Sequence, residues 1–335
     1  MLAFVHGPKV TVSSDSRGQT RKSQERYGQW VLMTQTAQVE LTDARRAYRL
    51  LAAWWEGNAR DLPWRFGRTT PWGILVSEVM SQQTQMSRVV PYWVEWMRAW
   101  PTPEALAAAS GAEVITAWGR LGYPRRALRL QACAKTVVEE YGGKLPQDYE
   151  TLLTLPGVGD YTASAVVSFA YGKRIAVIDT NIRRVLGRVF AGKESRGGAA
   201  SADERTLAQR ALPEDDAESV VWNQSVMELG ATVCAAKSPA CEECPLNGIC
   251  AFLAAGRPGL GERRTRPRQR FKGTDRQVRG LILAALRELP PGGSLPISRL
   301  DSLWPDQAQL GACLASLDED GLVEIHQGGS VSLPE

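Results

Sequence analysis

The stretch Leu155-Pro156-Gly157-Val158-Gly159-Asp160-Tyr161-Thr162 constrains this chain more than any other, because a tight turn runs straight into an apolar helix over 163–170. Pro156 presets φ for the turn, and Gly157 and Gly159 accept the positive φ values that side chains resist. Such a turn aims several backbone N–H groups the same way at a helix N-terminus, which makes an anion site without a charged side chain. Taken alone, a Gly-x-Gly turn is only a turn with a capped helix behind it, the cap being Asp160 or Thr162. Two flanking signals shift that balance: Ser77-Glu78-Val79-Met80-Ser81-Gln82-Gln83-Thr84 before the turn, and a four-cysteine loop after it.

Helical periodicity runs through most of the chain. Thr42 or Asp43 caps a helix carrying Ala47, Leu50, Leu51, Trp54 and Trp55 on one face, and Leu62-Pro63-Trp64-Arg65 breaks it. Helices follow over 72–80, 84–100, 103–109 and 112–118. After a loop at 119–123, Pro124 suits the first position of a long helix to Tyr141. The apolar run 175–178 leads to Asp179 and a helix through 181–186, and a last long helix spans 214–233. No β-alternation of consequence precedes residue 290. Beyond it, helical patterns at 275–289, 297–303 and 308–320, with a hairpin around Gly328-Gly329, predict a winged-helix-like unit over 275–335. Such a unit is as suited to packing as to reading DNA.

The remaining segments are read from composition. Residues 1–40 are polar and lack a sustained period, which predicts a disordered extension, and Met33 offers an alternative translation start. Residues 257–272 form a basic run with Pro and Gly, equally suited to a solvated linker and a phosphate-binding strap. The net charge of +4 over 335 residues argues only weakly for a polyanionic partner. No apolar run reaches membrane-spanning length and no signal peptide opens the chain, so a cytoplasmic protein is expected.

Only two histidines occur, His6 and His326, far from each other in sequence. Histidine metal chemistry and Ser-His-Asp hydrolysis are thereby disfavoured, and acid–base work falls to carboxylates. Glu78 sits in an apolar stretch with Ile74, Leu75, Val76, Val79 and Met80, where burial would raise its pKa; its plain alternative is an exposed helix glutamate. Asp179 follows an apolar run, where its plain role is an N-cap, and a cap fixes a carboxylate in place. Of six cysteines, Cys133 and Cys313 read as core filling. Cys234, Cys241, Cys244 and Cys250 stand at C-x6-C-x2-C-x5-C spacing, suited to zinc or an iron–sulfur cluster; the single C-x2-C pair followed by Pro245 leans to the latter.

The turn 155–159, Asp179 just downstream and the cysteine loop together resemble the helix-hairpin-helix DNA glycosylases with a 4Fe-4S cluster. The stretch from Ser77 to Gln85 is similar to the signature of the MutY-type adenine glycosylases. The resemblance covers about 42–255. It implies a mainly α, two-lobed helix-hairpin-helix core (41–233), a cluster loop (234–256), a basic linker (257–274) and the winged-helix-like C-terminal domain. It implies removal of adenine opposite 8-oxoguanine or guanine in double-stranded DNA, by a monomer. Glu78 would protonate the base and later activate water, and Asp179 would stabilise the sugar cation. Breaking a purine N-glycosidic bond needs that pairing of a neutral and an ionised carboxyl. Tyr161 stands where bifunctional relatives carry a Schiff-base lysine, which implies a monofunctional enzyme. Arg60, Leu62, Trp64 and Gln224 would line the adenine pocket, and Gln82, Gln83, Thr84, Leu121 and Tyr123 would meet the opposite base and fill the gap in the stack. Gly157 and Gly159 would hold phosphate, with Asn181 also on the DNA side.

The chain departs from the family pattern in several places. Thr180 follows the aspartate where Gly is usual, Pro124 replaces a second aromatic, and Asp160 puts a negative charge beside the phosphate site. The family's Nudix-like C-terminal domain is not visible. A thymine or uracil mismatch glycosylase of the same superfamily is the nearest alternative, and a non-catalytic iron–sulfur DNA-binding protein a more distant one.

Overall fold

The computed structural model describes residues 43–194, 197–262 and 271–335. The expectations for residues 1–40, and for residues 263–270 of the basic run, lie outside them. Helix α1 spans 43–58. It is followed by α2 (Pro71–Ser81), α3 (Met86–Ala99), α4 (Pro103–Ala107), α5 (Gly111–Trp118) and α6 (Arg125–Tyr141). Next come α7 (Tyr149–Thr154), α8 (Asp160–Phe169), α9 (Thr180–Ala191), α10 (Ala202–Ala211), α11 (Asp216–Thr232) and the short α12 (Ala251–Ala254). The C-terminal unit contributes α13 (Asp275–Arg287), β1 (Ser294–Pro296), α14 (Gln307–Glu319), β2 (Glu324–His326) and β3 (Ser330–Ser332).

Three apolar cores organise these elements. The first joins α2–α8 around Leu75, Met80, Trp96 and Trp118. The second joins α1, α9 and α11 around Leu51, Val185, Trp222 and Leu229. Helix α8 contributes to both, Ala163 and Val166 to the first and Ala165 to the second, so its N-terminus lies where the two lobes meet. In α2, Thr70 accepts from Gly73 N and Pro71 opens the helix. Trp72 to Met80 are buried without a break. A helix buried all round sits between layers rather than on the surface, and this desolvates Glu78.

The third core belongs to the C-terminal unit, and Ile115 of α5 is part of it. Arg287 Nε donates to Ile115 O at 3.1 Å, and Asp320 pairs with both Arg279 at 2.5 Å and Arg125 of α6 at 3.0 Å. The unit is thereby fixed to the first lobe. Its sheet is antiparallel in the order β1-β3-β2, one strand more than the expected hairpin. The expected helix at 297–303 is instead two 3-10 turns, Ile297–Arg299 and Asp301–Leu303. Ser298, Asp301 and Ser302 are side chains that compete for backbone partners and weaken helix continuity.

Helices α7 and α10 were not expected, being short and polar. Their caps were legible: Asp148 accepts from Thr151 N, and Ser201 and Glu204 form a reciprocal capping box. Leu50 is exposed on α1, whereas Ala47, Leu51 and Trp55 are buried. No helix among the described residues is long and apolar enough to cross a membrane.

Candidate active site

Three ionisable groups converge where the lobes meet. Tyr161, in the first turn of α8, donates its hydroxyl to Glu78 Oε2 of α2 at 2.5 Å. Burial pushes the Glu78 carboxyl from 4.5 to about 7. The Tyr161 bond and Arg65 oppose that rise, and the nearby Asp179 adds to it. Tyr161 is itself pushed well above its ordinary value, first by burial and then by the two carboxylates. It is therefore a neutral donor at physiological pH.

Asp179 caps α9, accepting from Ile182 N at 2.6 Å through Oδ1 and from Asn181 Nδ2 at 2.7 Å through Oδ2. Burial raises its pKa, against the pull of the Ile182 and Asn181 donors and of Arg184. Several donors thus favour the Asp179 anion where one donor serves Glu78, and environments that divide two carboxyls this way divide their roles. Asn181 is committed to this work. Arg184 Nη2 donates to Asn181 Oδ1 at 2.8 Å and to Gly230 O at 2.6 Å. A Cβ at Gly230 would lie 2.7 Å from Asn181 Cβ and 3.0 Å from its carbonyl oxygen, so glycine on α11 is what allows the start of α9 to come this close.

The same arginines lead to the cysteine loop. Arg184 Nε donates to Cys234 O at 2.8 Å. The buried Arg188 reaches Cys234 Sγ at 3.4 Å and the carbonyls of Ala235 and Ala236 at 2.9 and 3.0 Å. Cys234, Cys241, Cys244 and Cys250 line one cavity with Leu229, Pro239 and Phe252. Among the described residues no three His, Cys, Asp or Glu side chains gather closely enough for a single ion. Four thiols lining one cavity fit the donor set of an iron–sulfur cluster.

Beside this group, Glu228 of α11 is fully buried and holds two arginines. Arg60 binds it through Nε at 2.5 Å and Nη2 at 3.0 Å, and Arg65 through Nη2 at 2.7 Å. Burial raises the Glu228 pKa, but the two guanidinium bonds outweigh it and leave the carboxyl below its ordinary range. Arg65 also stacks over Trp55 at 4.9 Å. Gln224 is half-buried one helical turn before Glu228, while Leu62 and Trp64 are buried in the first core, Trp64 against Trp93 at 5.4 Å. Glu228 and Arg65 were missed from sequence. The signal for Glu228 was present, a lone carboxylate in Val226-Met227-Glu228-Leu229, the same pattern that marked Glu78.

The chain after α2 is organised by Arg126, which sequence reading also missed. Its Nη1 donates to Val79 O at 2.8 Å and Gln82 O at 2.7 Å, and its Nη2 to Gly122 O at 3.0 Å. The Nη2 also reaches Thr84 Oγ1 at 3.3 Å. Gln82 Nε2 donates to Thr162 Oγ1 at 3.3 Å, and Gln83 adopts a positive φ of 55°. Tyr123 is also left-handed, at φ 48°, and 51% exposed. Leu121 is 3% exposed and packs in the first core, two residues before the exposed Tyr123.

In the hairpin between α7 and α8, Gly157 has φ 79°, but Gly159 is extended at φ −108° and occupies the N-cap of α8. Only one glycine is thus needed for the backbone bend. Leu155 and Val158 anchor the turn in the core. Asp160 is neither a cap nor a bare charge; it pairs with Arg205 and accepts from Tyr149 Oη at 2.8 Å. The positive partner removes the objection that its charge would repel phosphate.

Residues 76–209 match the model of the HhH-GPD superfamily base excision DNA repair protein. The iron-sulfur binding domain of endonuclease III matches over 234–250. The fold and site define a helix-hairpin-helix base-excision DNA glycosylase that carries an iron–sulfur cluster. An adenine DNA glycosylase of Mycolicibacterium smegmatis is 47% identical over 84% of this chain and 94% of its own length. The human adenine DNA glycosylase is 44% identical over 60% of this chain and 38% of its own. A thermostable thymine-DNA glycosylase structure aligns at a TM-score of 0.59 with 27% identity, covering 64% of this chain and 98% of that one. The chain belongs to the adenine DNA glycosylase family.

Proposed function

We propose that this enzyme removes adenine mispaired with 8-oxoguanine or guanine in duplex DNA, as a monofunctional glycosylase that leaves an abasic site. The Glu78–Tyr161 bond beside Asp179 carries the reading. The target base must leave the helix to reach these groups. With Oε2 of Glu78 occupied by the Tyr161 hydroxyl, the proton of the neutral acid resides on Oε1. At a pKa of about 7 a large fraction of Glu78 is protonated near neutrality and gives that proton to the departing adenine. Asp179, whose carboxylate form the Ile182 and Asn181 donors favour against the burial that raises its pKa, would face the oxocarbenium sugar. The Glu78 carboxylate formed in the first step then takes a proton from the attacking water, which restores the acid. Proton transfer by such a group contributes on the order of 10²–10⁴-fold.

Tyr161 is a phenol and forms no Schiff base, so strand cleavage through a covalent amine adduct is not expected. Arg60, Leu62, Trp64 and Gln224 would shape the adenine pocket, supported by the position of Arg60 and Gln224 around Glu228. Gln82, Gln83, Thr84 and Tyr123 would meet the opposite base, and the N–H groups at Gly157 and Gly159 a phosphate. The cysteine loop would hold its cluster through Cys234, Cys241, Cys244 and Cys250; the cluster adds metal-centred bonds that brace the loop, and Arg184 and Arg188 join that loop to the helix capped by Asp179. The enzyme would act as a monomer, on nucleoid DNA in the cytoplasm.

Single-turnover base release from A:8-oxoguanine, A:G, A:T and T:G duplexes tests the reading, with Glu78→Gln as control. Release of adenine from the first two, abolished in the variant, is expected, together with no borohydride-trapped adduct on abasic DNA. Release of thymine instead of adenine would reassign the enzyme to mismatched thymine, and efficient trapping would overturn monofunctionality.

A further inference from the structure

Tyr123 has neighbours that its own loop does not supply. Its ring meets Arg126 on α6 at 5.6 Å and Arg276 on α13 at 5.6 Å. Arg276 also lies 5.9 Å from the ring of Phe271, just ahead of α13. The C-terminal unit therefore delivers a cation and a second aromatic to the place where the first lobe exposes its tyrosine. Phe271 is 58% exposed and Tyr123 51% exposed, so two large exposed rings flank one guanidinium. Tyr123 does so in a left-handed backbone conformation that a bulky residue rarely adopts. Among the described residues no carboxylate pairs with Arg276, and the adjacent Asp275 is already engaged by Gln309 Nε2 at 2.7 Å. Lys272 is exposed between the two. The unit is not loosely tethered, since Asp320 bridges Arg279 and Arg125, and Pro334 packs on Gly111 of α5.

Exposed rings interleaved with unpaired cations suit stacked bases flanked by phosphates. Base–aromatic stacking is worth about 1–3 kcal/mol per base, and guanidinium groups add to it. We propose that Phe271 and Arg276 of the C-terminal unit complete, with Tyr123, a composite aromatic–cationic surface that grips the DNA strand opposite the excised adenine. The proposal rests on the reading of Tyr123 as the residue that fills the gap in the stack. It gives the winged-helix-like unit a DNA contact made through the start of α13, not through its β-hairpin.

The test uses the full-length holoenzyme and duplexes carrying a tetrahydrofuran abasic site opposite guanine or 8-oxoguanine. Binding is followed by fluorescence anisotropy across a salt series. Arg276→Ala and Phe271→Ala should each weaken binding about 5- to 10-fold, in line with loss of one stacking or ion contact. Arg276→Ala should also lower the salt slope by about one unit, whereas Arg299→Ala, which removes the same charge outside the cluster, should leave affinity unchanged. Melting curves check the folding of each variant. A second readout does not depend on substitution: 4-thiothymidine placed beside the opposite base should photo-crosslink to the peptide containing 271–276. Unchanged affinity in both variants, or crosslinks confined to the first lobe, would overturn the proposal. Failure of the wild-type enzyme to release adenine would instead overturn the adenine reading and leave this surface to be judged on binding and crosslinking alone.

Discussion

Replacing Glu78 by Gln should make this enzyme inactive and, above neutral pH, more stable. Glu78 is a carboxyl whose folded-state pKa is raised, from 4.5 to about 7. Between those values the folded state binds more protons than the unfolded chain, so stability falls as pH rises. The cost is nearly absent below pH 4.5, grows through the interval and is complete above pH 7. A shift of this size corresponds to about 3 kcal/mol, of which less than about 1 kcal/mol is present at pH 5. Glutamine is nearly isosteric, its Oε1 accepts the Tyr161 hydroxyl as Glu78 Oε2 does, and it never ionises. The variant should therefore melt at about the wild-type temperature at pH 5. At a conversion of about 2 °C per kcal/mol for a chain of this size, its advantage should grow by about 5 °C at pH 8. Calorimetric scans of both proteins at one scan rate from pH 5 to 9, with the cluster loaded, supply the comparison. A difference that stays flat with pH, or a variant less stable than wild type at pH 8, would refute the claim that Glu78 is held in a desolvated site. Stability given up at Glu78 is the trade expected of a working site if this residue carries the proposed proton transfer.

Three further substitutions probe the surroundings. Tyr161→Phe removes the hydroxyl bond that holds the Glu78 pKa down, so the alkaline limb of the pH–rate profile for adenine release should move to higher pH. Gly230→Ala places a methyl against Asn181 backbone at 3.0 Å; it should cost about 1–3 kcal/mol in thermal stability and, by displacing Asp179, about 10²-fold in single-turnover release. Arg126→Ala strips donors from the carbonyls of Val79, Gln82 and Gly122 and should lower stability by about 2–4 kcal/mol. It should also weaken binding to abasic-site DNA, because Gln83 and Tyr123 lose their common anchor.

What was legible in the chain follows from signals that are local. The all-α core shows in 3.6-residue periodicity, the hairpin in Pro156 and Gly157, and the cluster loop in four closely spaced cysteines. Glu78 and Asp179 were legible because each interrupts or ends an apolar run. Helices α7 and α10 escaped because a short polar helix has little periodicity, although their caps were written in Asp148 and Ser201-x-x-Glu204.

Residues of uniform local character were not separable by sequence. Leu121 and Tyr123 share one loop, and only packing shows that Leu121 is core while Tyr123 faces solvent. Arg65, Arg126, Arg184 and Glu228 act through partners tens of residues away, and nothing adjacent to an arginine announces a carbonyl or carboxylate brought to it by another helix. The sequence by itself marked most of the long helices, the hairpin and two candidate carboxyls, because these signals depend on backbone propensity and side-chain chemistry at neighbouring positions. Tertiary structure decided that Glu78 and Asp179 are both desolvated, which donors hold Asp179, and that the C-terminal unit meets Tyr123, because desolvation and long-range pairing exist only once separate helices are packed together.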